Sequence, residues 1–196
     1  MIYFTLPNFF QNNELINFFK IISKEKQNYF KFPVAFSYAT GNFPYCYWNG
    51  GYNNNDGPGL LYSDFFNFNL NSAIPLRFNC SNVYLKNIDY EDTMANTILN
   101  ICENGSNSIS ISDLNFYEFL KEKYPNYSYV FSKEANLKYP ISEEIINTLS
   151  EYFDYIEIPY FKTCDLNFLN NLKNKNKIEL TINSLCPTNC SNYFNC

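Results

Sequence analysis

Short runs rich in β-branched and aromatic residues alternate with amphipathic stretches along the whole of this chain. Parallel strands cannot be joined by a tight turn and need a crossover, usually a helix, so strand and helix must then alternate. The pattern predicts strands over Ile2 to Leu6, Pro33 to Tyr38, Ile74 to Cys80, Ser108 to Ile111, Ser128 to Phe131, Tyr155 to Ile158 and Ile178 to Asn183. Between them, Asn13 to Lys26 places Leu15, Ile16, Phe18, Phe19 and Ile22 on one helical face, and Asp89 to Glu103 does the same with Met94, Ala95, Ile98 and Cys102. Gly105 suits a C-cap for the second of these. Further helices are expected over Asp113 to Lys123, Ser142 to Tyr152 and Asp165 to Lys173, with Asp165 as an N-cap. About seven βα units in 196 residues predict an α/β fold, a compact or incomplete (β/α) barrel, because the eight-unit barrel usually takes about 250 residues. An open doubly wound sheet is the alternative. In both architectures the loops that follow the strands gather on one face, where ligands bind. Residues 1–185 are expected to form a single barrel-like domain, and residues 186–196 a cysteine-containing C-terminal segment.

Charge narrows the partners. Lys and Arg number 14 against 19 Asp and Glu, and the net charge of −5 argues against general DNA binding. Lys173, Lys175 and Lys177 read as the solvated end of a helix. The amino terminus has no basic region and no apolar run approaches the roughly 20 residues of a membrane span, so a cytoplasmic protein without membrane attachment is expected. Seven cysteines, an odd number with no export signal, point to thiol, metal or redox chemistry in a reducing compartment. The abundance of Asn, Ile, Lys, Phe and Tyr matches A/T-rich codons, which makes the scarce residues informative: one Arg, one Trp, six Gly and no His.

Five of the six glycines and the tryptophan fall between Gly41 and Gly59, after the second strand. Glycine allows close backbone approach, so Trp48, Asn49, Gly50 and Gly51 are candidate substrate-binding residues in a loop or lid, or else an Asn/Gly turn with Trp48 plugging the barrel end. On the third strand, alternation puts Arg77 and Asn79 on one face and Leu76 and Phe78 on the other. The guanidinium suits an anionic ligand, or a structural ion pair with one of the acids. Among carboxylates near strand ends, Asp64, Glu134, Asp154 and Glu157, the one to watch is Glu134. A Ser or Cys triad lacks its usual base.

Cys186, Cys190 and Cys196 form a Cys-x3-Cys-x5-Cys motif directly after the last predicted strand. This is either a metal site or a set of free, inert or redox-active thiols. Cys46, Cys80 and Cys164 follow strands and are candidates for a fourth ligand, with Cys80 at the strand's carboxyl end preferred; Cys102 reads as core.

Three phrases, Trp48-Asn49-Gly50-Gly51, Pro75-Leu76-Arg77-Phe78 and Ile182-Asn183-Ser184-Leu185-Cys186-Pro187-Thr188-Asn189-Cys190, together resemble bacterial barrel proteins related to the collagenase-like peptidase family of unassigned catalytic type. The resemblance implies a (β/α) barrel, an iron-sulfur cluster with Cys186 and Cys190 among its ligands, and oxygen-independent hydroxylation, or peptidase action. Ser191 and Cys196 stand where that pattern carries Pro and His, and the chain would be a truncated relative. The combined expectation is a cluster, or zinc, on Cys186, Cys190, Cys196 and Cys80, with redox modification of a small anionic or RNA-linked substrate held by Arg77 and the glycine loop. The rival expectation is a degenerate, non-enzymatic barrel acting as a binding or assembly module, whose open edge meets a completing polypeptide or a second copy.

Overall fold

The computed structural model describes residues 2–6, 18, 21, 31–32, 34–43, 46–50 and 74–181. Seven strands form one sheet in the order of the chain: β1 (Ile2–Leu6), β2 (Val34–Asn42), β3 (Leu76–Cys80), β4 (Ser108–Ile111), β5 (Ser128–Phe131), β6 (Tyr155–Ile158) and β7 (Ile178–Leu180). Every neighbouring pair is parallel. A doubly wound sheet reverses its strand order part-way across; this sheet never does, which overturns the open doubly wound alternative.

The sheet curls into a half-barrel. Strands lie about 4.8 Å apart, so β2 and β7 would be separated by roughly 24 Å in a flat sheet. Yet the Tyr38 hydroxyl on β2 donates to Glu179 on β7 at 2.6 Å, and Arg77 on β3 donates to the same carboxylate at 2.6 and 2.9 Å. Only a concave sheet brings these side chains together.

Four described helices pack outside: α1 (Thr93–Cys102), α2 (Leu114–Lys123), α3 (Glu143–Leu149) and α4 (Leu166–Asn171). Each begins on a side-chain cap, Asp92, Asp113, Ser142 and Asp165 in turn, which satisfies amides that the helix itself leaves unpaired. Asp92 moves the start of α1 to residue 93, after a 3-10 turn over Asn87–Glu91. Gly105, expected as a C-cap, instead sits at φ 74° beyond the end of α1. Of the helix expected over Asn13 to Lys26 only Phe18 and Ile21 are described; both are helical and about half exposed. No helix among the described residues is long and apolar enough to cross a membrane.

The core lies between sheet and helices. Phe78, Ile109, Ile111, Tyr129, Phe131, Ile156 and Ile158 meet Ile98, Leu99, Phe116 and Leu120 in one cluster. Tyrosine serves this layer twice, as apolar bulk and as a cap. The Tyr127 and Tyr129 hydroxyls donate to the Leu99 and Leu120 carbonyls at 2.7 Å, in the last turns of α1 and α2; the Leu120 carbonyl also accepts from the Tyr124 amide. Asn107 links the same layer to the sheet, accepting from Leu76 N and donating to Cys102 O.

Candidate ligand site at the mouth of the half-barrel

Alternation that points Phe78, Ile109 and Ile111 outward turns Arg77, Asn79, Ser108 and Ser110 inward. Register aligns them: Thr40 with Arg77, Asn42 with Asn79, and both with Ser108 and Ser110. The inner face is therefore polar. Val130 is the one buried hydrophobic residue of β3 to β6 that stays out of the helix-side cluster.

The floor is an ion cluster. Arg77 is 1% exposed; its guanidinium grips Glu179 with two hydrogen bonds, reaches Glu157 at 3.3 Å and donates through Nε to Ser108 Oγ at 3.1 Å. It also lies 3.5 Å from the centre of the Tyr38 ring. Burial works against the charge on Arg77, but hydrogen bonding and attraction from Glu179, with Glu157, raise its pKa overall. Burial likewise drives the Tyr38 hydroxyl up, which keeps it a donor to Glu179. Of the two roles that the sequence allows for Arg77, the geometry realises the internal ion pair.

Above this floor, at the carboxyl ends of the strands, is a cavity of about 190 Å³ lined by Thr40, Asn42, Asn79, Ser81, Lys133, Glu134 and Glu157. Asn79 Nδ2 donates to Asn42 Oδ1 at 2.9 Å, so the two amides form one patch. Glu134 is held by the hydroxyl of Ser132, which also caps the 3-10 turn over Lys133–Leu137. Among the described residues Glu157 receives long bonds, from Arg77 at 3.3 Å and from the Lys133 amide at 3.4 Å. Burial, then the neighbouring Glu134 charge, push the Glu157 carboxyl above the usual glutamate range; Arg77 and Lys133 pull the other way without cancelling the effect. The site thus holds two carboxyls in unlike surroundings, one lysine, a hydroxyl and amide surface, and a floor whose charges are already matched.

The glycine loop does something else. Trp48 is fully buried, 4.8 Å from the Phe116 ring centre and 5.4 Å from that of Phe43, with its indole N–H donating to Asp89 O at 2.7 Å. Asn49, also fully buried, clasps both the N–H and the carbonyl of Phe43. Gly50 takes φ 65° against the backbone of Asn82, whose amide bonds Trp48 O at 3.0 Å. These residues lock the exit of β2 onto the exit of β3, and the plug expected at the barrel end is a wedge in the outer core. Gly51, Asp64, Cys186, Cys190 and Cys196 lie outside the described residues.

Cys80 is fully buried on the helix-facing side of β3, opposite to Asn79, and burial drives its thiol well up. Cys46 accepts a bond from the Trp48 amide, Cys102 is core as expected, and Cys164 is exposed. Among the described residues no group of three or more His, Cys, Asp or Glu side chains is arranged to hold a metal ion. Asp154 is structural, accepting from the Tyr129 amide at 2.8 Å. Glu134, singled out from sequence, does line the cavity; Asn42, Ser81, Tyr38 and Glu179 were not anticipated. A signal for them existed in Ser108-Ile109-Ser110-Ile111-Ser112, a strict alternation whose polar face had to turn inward once helices covered the apolar one. No protein-family model matches the chain, and no curated protein or solved structure is significantly similar to it.

Proposed function

We propose that this protein binds a small polar molecule at the carboxyl-end mouth of its half-barrel, with Asn42, Asn79, Ser81, Glu134 and Glu157 as contacts. One observation carries the reading. A closed (β/α) barrel fills its interior with layers of bulky branched side chains, whereas here the inner face is polar and opens into a cavity at the ligand-bearing end. With Arg77 committed to Glu179 and Glu157, the wall sets one cation, Lys133, against two carboxyls, Glu134 and Glu157, which moves the reading from an anionic to an uncharged partner. In this view the fold is an incomplete barrel of seven βα units, and its edges are where a completing chain or second copy would add.

The test is a fragment screen of mixed chemistry read by protein NMR. Hits should perturb the amides of residues 79–81 and 132–134 and disappear in Asn79→Ala. If nothing perturbs those amides, the mouth is not a binding site.

The terminal thiols support a separate reading, an iron-sulfur or zinc centre on Cys186, Cys190 and Cys196 serving redox hydroxylation. Cys80 does not fit as its fourth ligand, because it is sealed in the outer core. Anaerobically prepared protein should then be brown and hold iron that is lost on changing all three cysteines to serine; colourless, metal-free protein removes this reading.

A further inference from the structure

The dipeptide Asn-Gly occurs twice in the chain, at Asn49-Gly50 and Asn104-Gly105, and the structure treats the two oppositely. Asparagine is chemically labile, most of all before glycine, because no β-carbon hinders attack by the glycine amide nitrogen on the asparagine side-chain carbon. Three conditions decide whether a folded chain permits that attack. The side chain needs room, the glycine amide must be unengaged, and the oxygen that gathers charge needs donors.

Asn49 fails the first two. It is fully buried, its side-chain amide clasps both the N–H and the carbonyl of Phe43, and the Gly50 amide donates to Tyr47 O at 3.3 Å. Asn104 meets all three. With Gly105 and Ser106 it forms the exposed turn between α1 and β4, and nothing lies within 4 Å of where a Gly105 β-carbon would stand. Among the described residues no hydrogen bond engages the Gly105 amide. Asn104 Oδ1 accepts from the Ser106 amide at 2.9 Å and the Asn107 amide at 3.1 Å, so two donors already face the atom that becomes an oxyanion.

We infer that Asn104 is a site of spontaneous deamidation, and that its isoaspartate product loosens the seam between α1 and β3. The Gly105 nitrogen bonds to Asn104 Cγ and gives up its proton, the bond from Cγ to the side-chain nitrogen breaks, and that nitrogen leaves as ammonia. Water then opens the succinimide ring to aspartate or isoaspartate, either of which adds a negative charge. Aspartate keeps a carboxylate oxygen in the place of Oδ1 for both amide donors. Isoaspartate instead routes the main chain through the former side-chain carbon and removes that acceptor. The Asn107 amide thereby loses its partner, and the fully buried Asn107 side chain is the link between Leu76 N and Cys102 O.

The experiment incubates the full chain in mildly alkaline buffer, folded and in urea, and follows both asparagines by peptide mass spectrometry. In the folded protein Asn104 should convert at least about tenfold faster than Asn49, and in urea the two should convert at similar rates. Asn104→Gln, whose longer side chain does not close this ring, should gain no charge there. The isoaspartate form, separated by ion exchange, should melt below the wild type, whereas Asn104→Asp should melt with it. Conversion of folded Asn104 no faster than that of Asn49 overturns the site. An isoaspartate form that melts with the wild type overturns the effect on the seam and leaves the site standing.

Discussion

The two faces of the sheet are made from the same strands and obey opposite rules. Outside, Phe78, Ile109, Tyr129 and Phe131 meet the helices in an aromatic layer where even the tyrosine hydroxyls are spent on helix carbonyls. Inside, Arg77, Asn79, Ser108 and Glu157 line a concavity held by charge and hydrogen bonds. The outer face has the composition that stability requires. The inner face gives up apolar burial, which is the feature on which the proposed binding at the mouth rests.

The largest effect should come from breaking the outer face. Phe116→Ala, which removes the ring packed on Trp48 and Tyr90, should cost about 3–5 kcal/mol in urea unfolding. A loss below about 1 kcal/mol would mean that this layer is not the core. On the inner face Arg77→Ala should approach the lower end of about 3–5 kcal/mol, because two carboxylates lose their cation. Arg77→Met combined with Glu179→Leu should recover most of that loss, since an ion pair replaced whole by apolar groups is often neutral. If the double change is as damaging as the single one, the inner face is structural after all.

Asn107→Ala tests the seam between α1 and β3. It strands Leu76 N and Cys102 O and should cost about 1–3 kcal/mol by the same measurement. A pH series separates the faces by sign. Glu157 binds its proton more tightly folded than unfolded, so its share of stability is complete below the ordinary glutamate value of about 4.3 and is lost as pH rises through the raised folded value. The melting temperature of the wild type should fall across that window relative to Glu157→Gln; parallel profiles would show that Glu157 is not buried beside Glu134. The smallest effect belongs to Ser112→Ala, expected within about 0.5 kcal/mol of wild type or slightly above it, because the lost hydroxyl has no partner to leave behind.

Particular residues show how far sequence reading reaches. β4, β5 and β6 lie where the β-rich runs predict, and Asp113 and Asp165 cap helices at the expected places. β2 runs on to Asn42 although Thr40, Gly41 and Asn42 have turn composition; pairing with β3 from Ala39↔Leu76 to Asn42↔Asn79 overrides local preference. Trp48, Asn49 and Gly50 looked like a binding loop because glycine and tryptophan mark both ligand contacts and tight structural turns, and their composition cannot tell the two apart.

Local periodicity alone determined that this chain alternates strand and helix, and that Arg77 and Asn79 share a face opposite to Leu76 and Phe78. Those are properties of neighbouring residues and of a backbone whose side chains repeat every second position. Which face turns inward, and which acids meet the single arginine, depended on the curl of the sheet. Tyr38, Arg77, Glu157 and Glu179 are separated by up to 141 residues and become neighbours only because the strands close around a common axis.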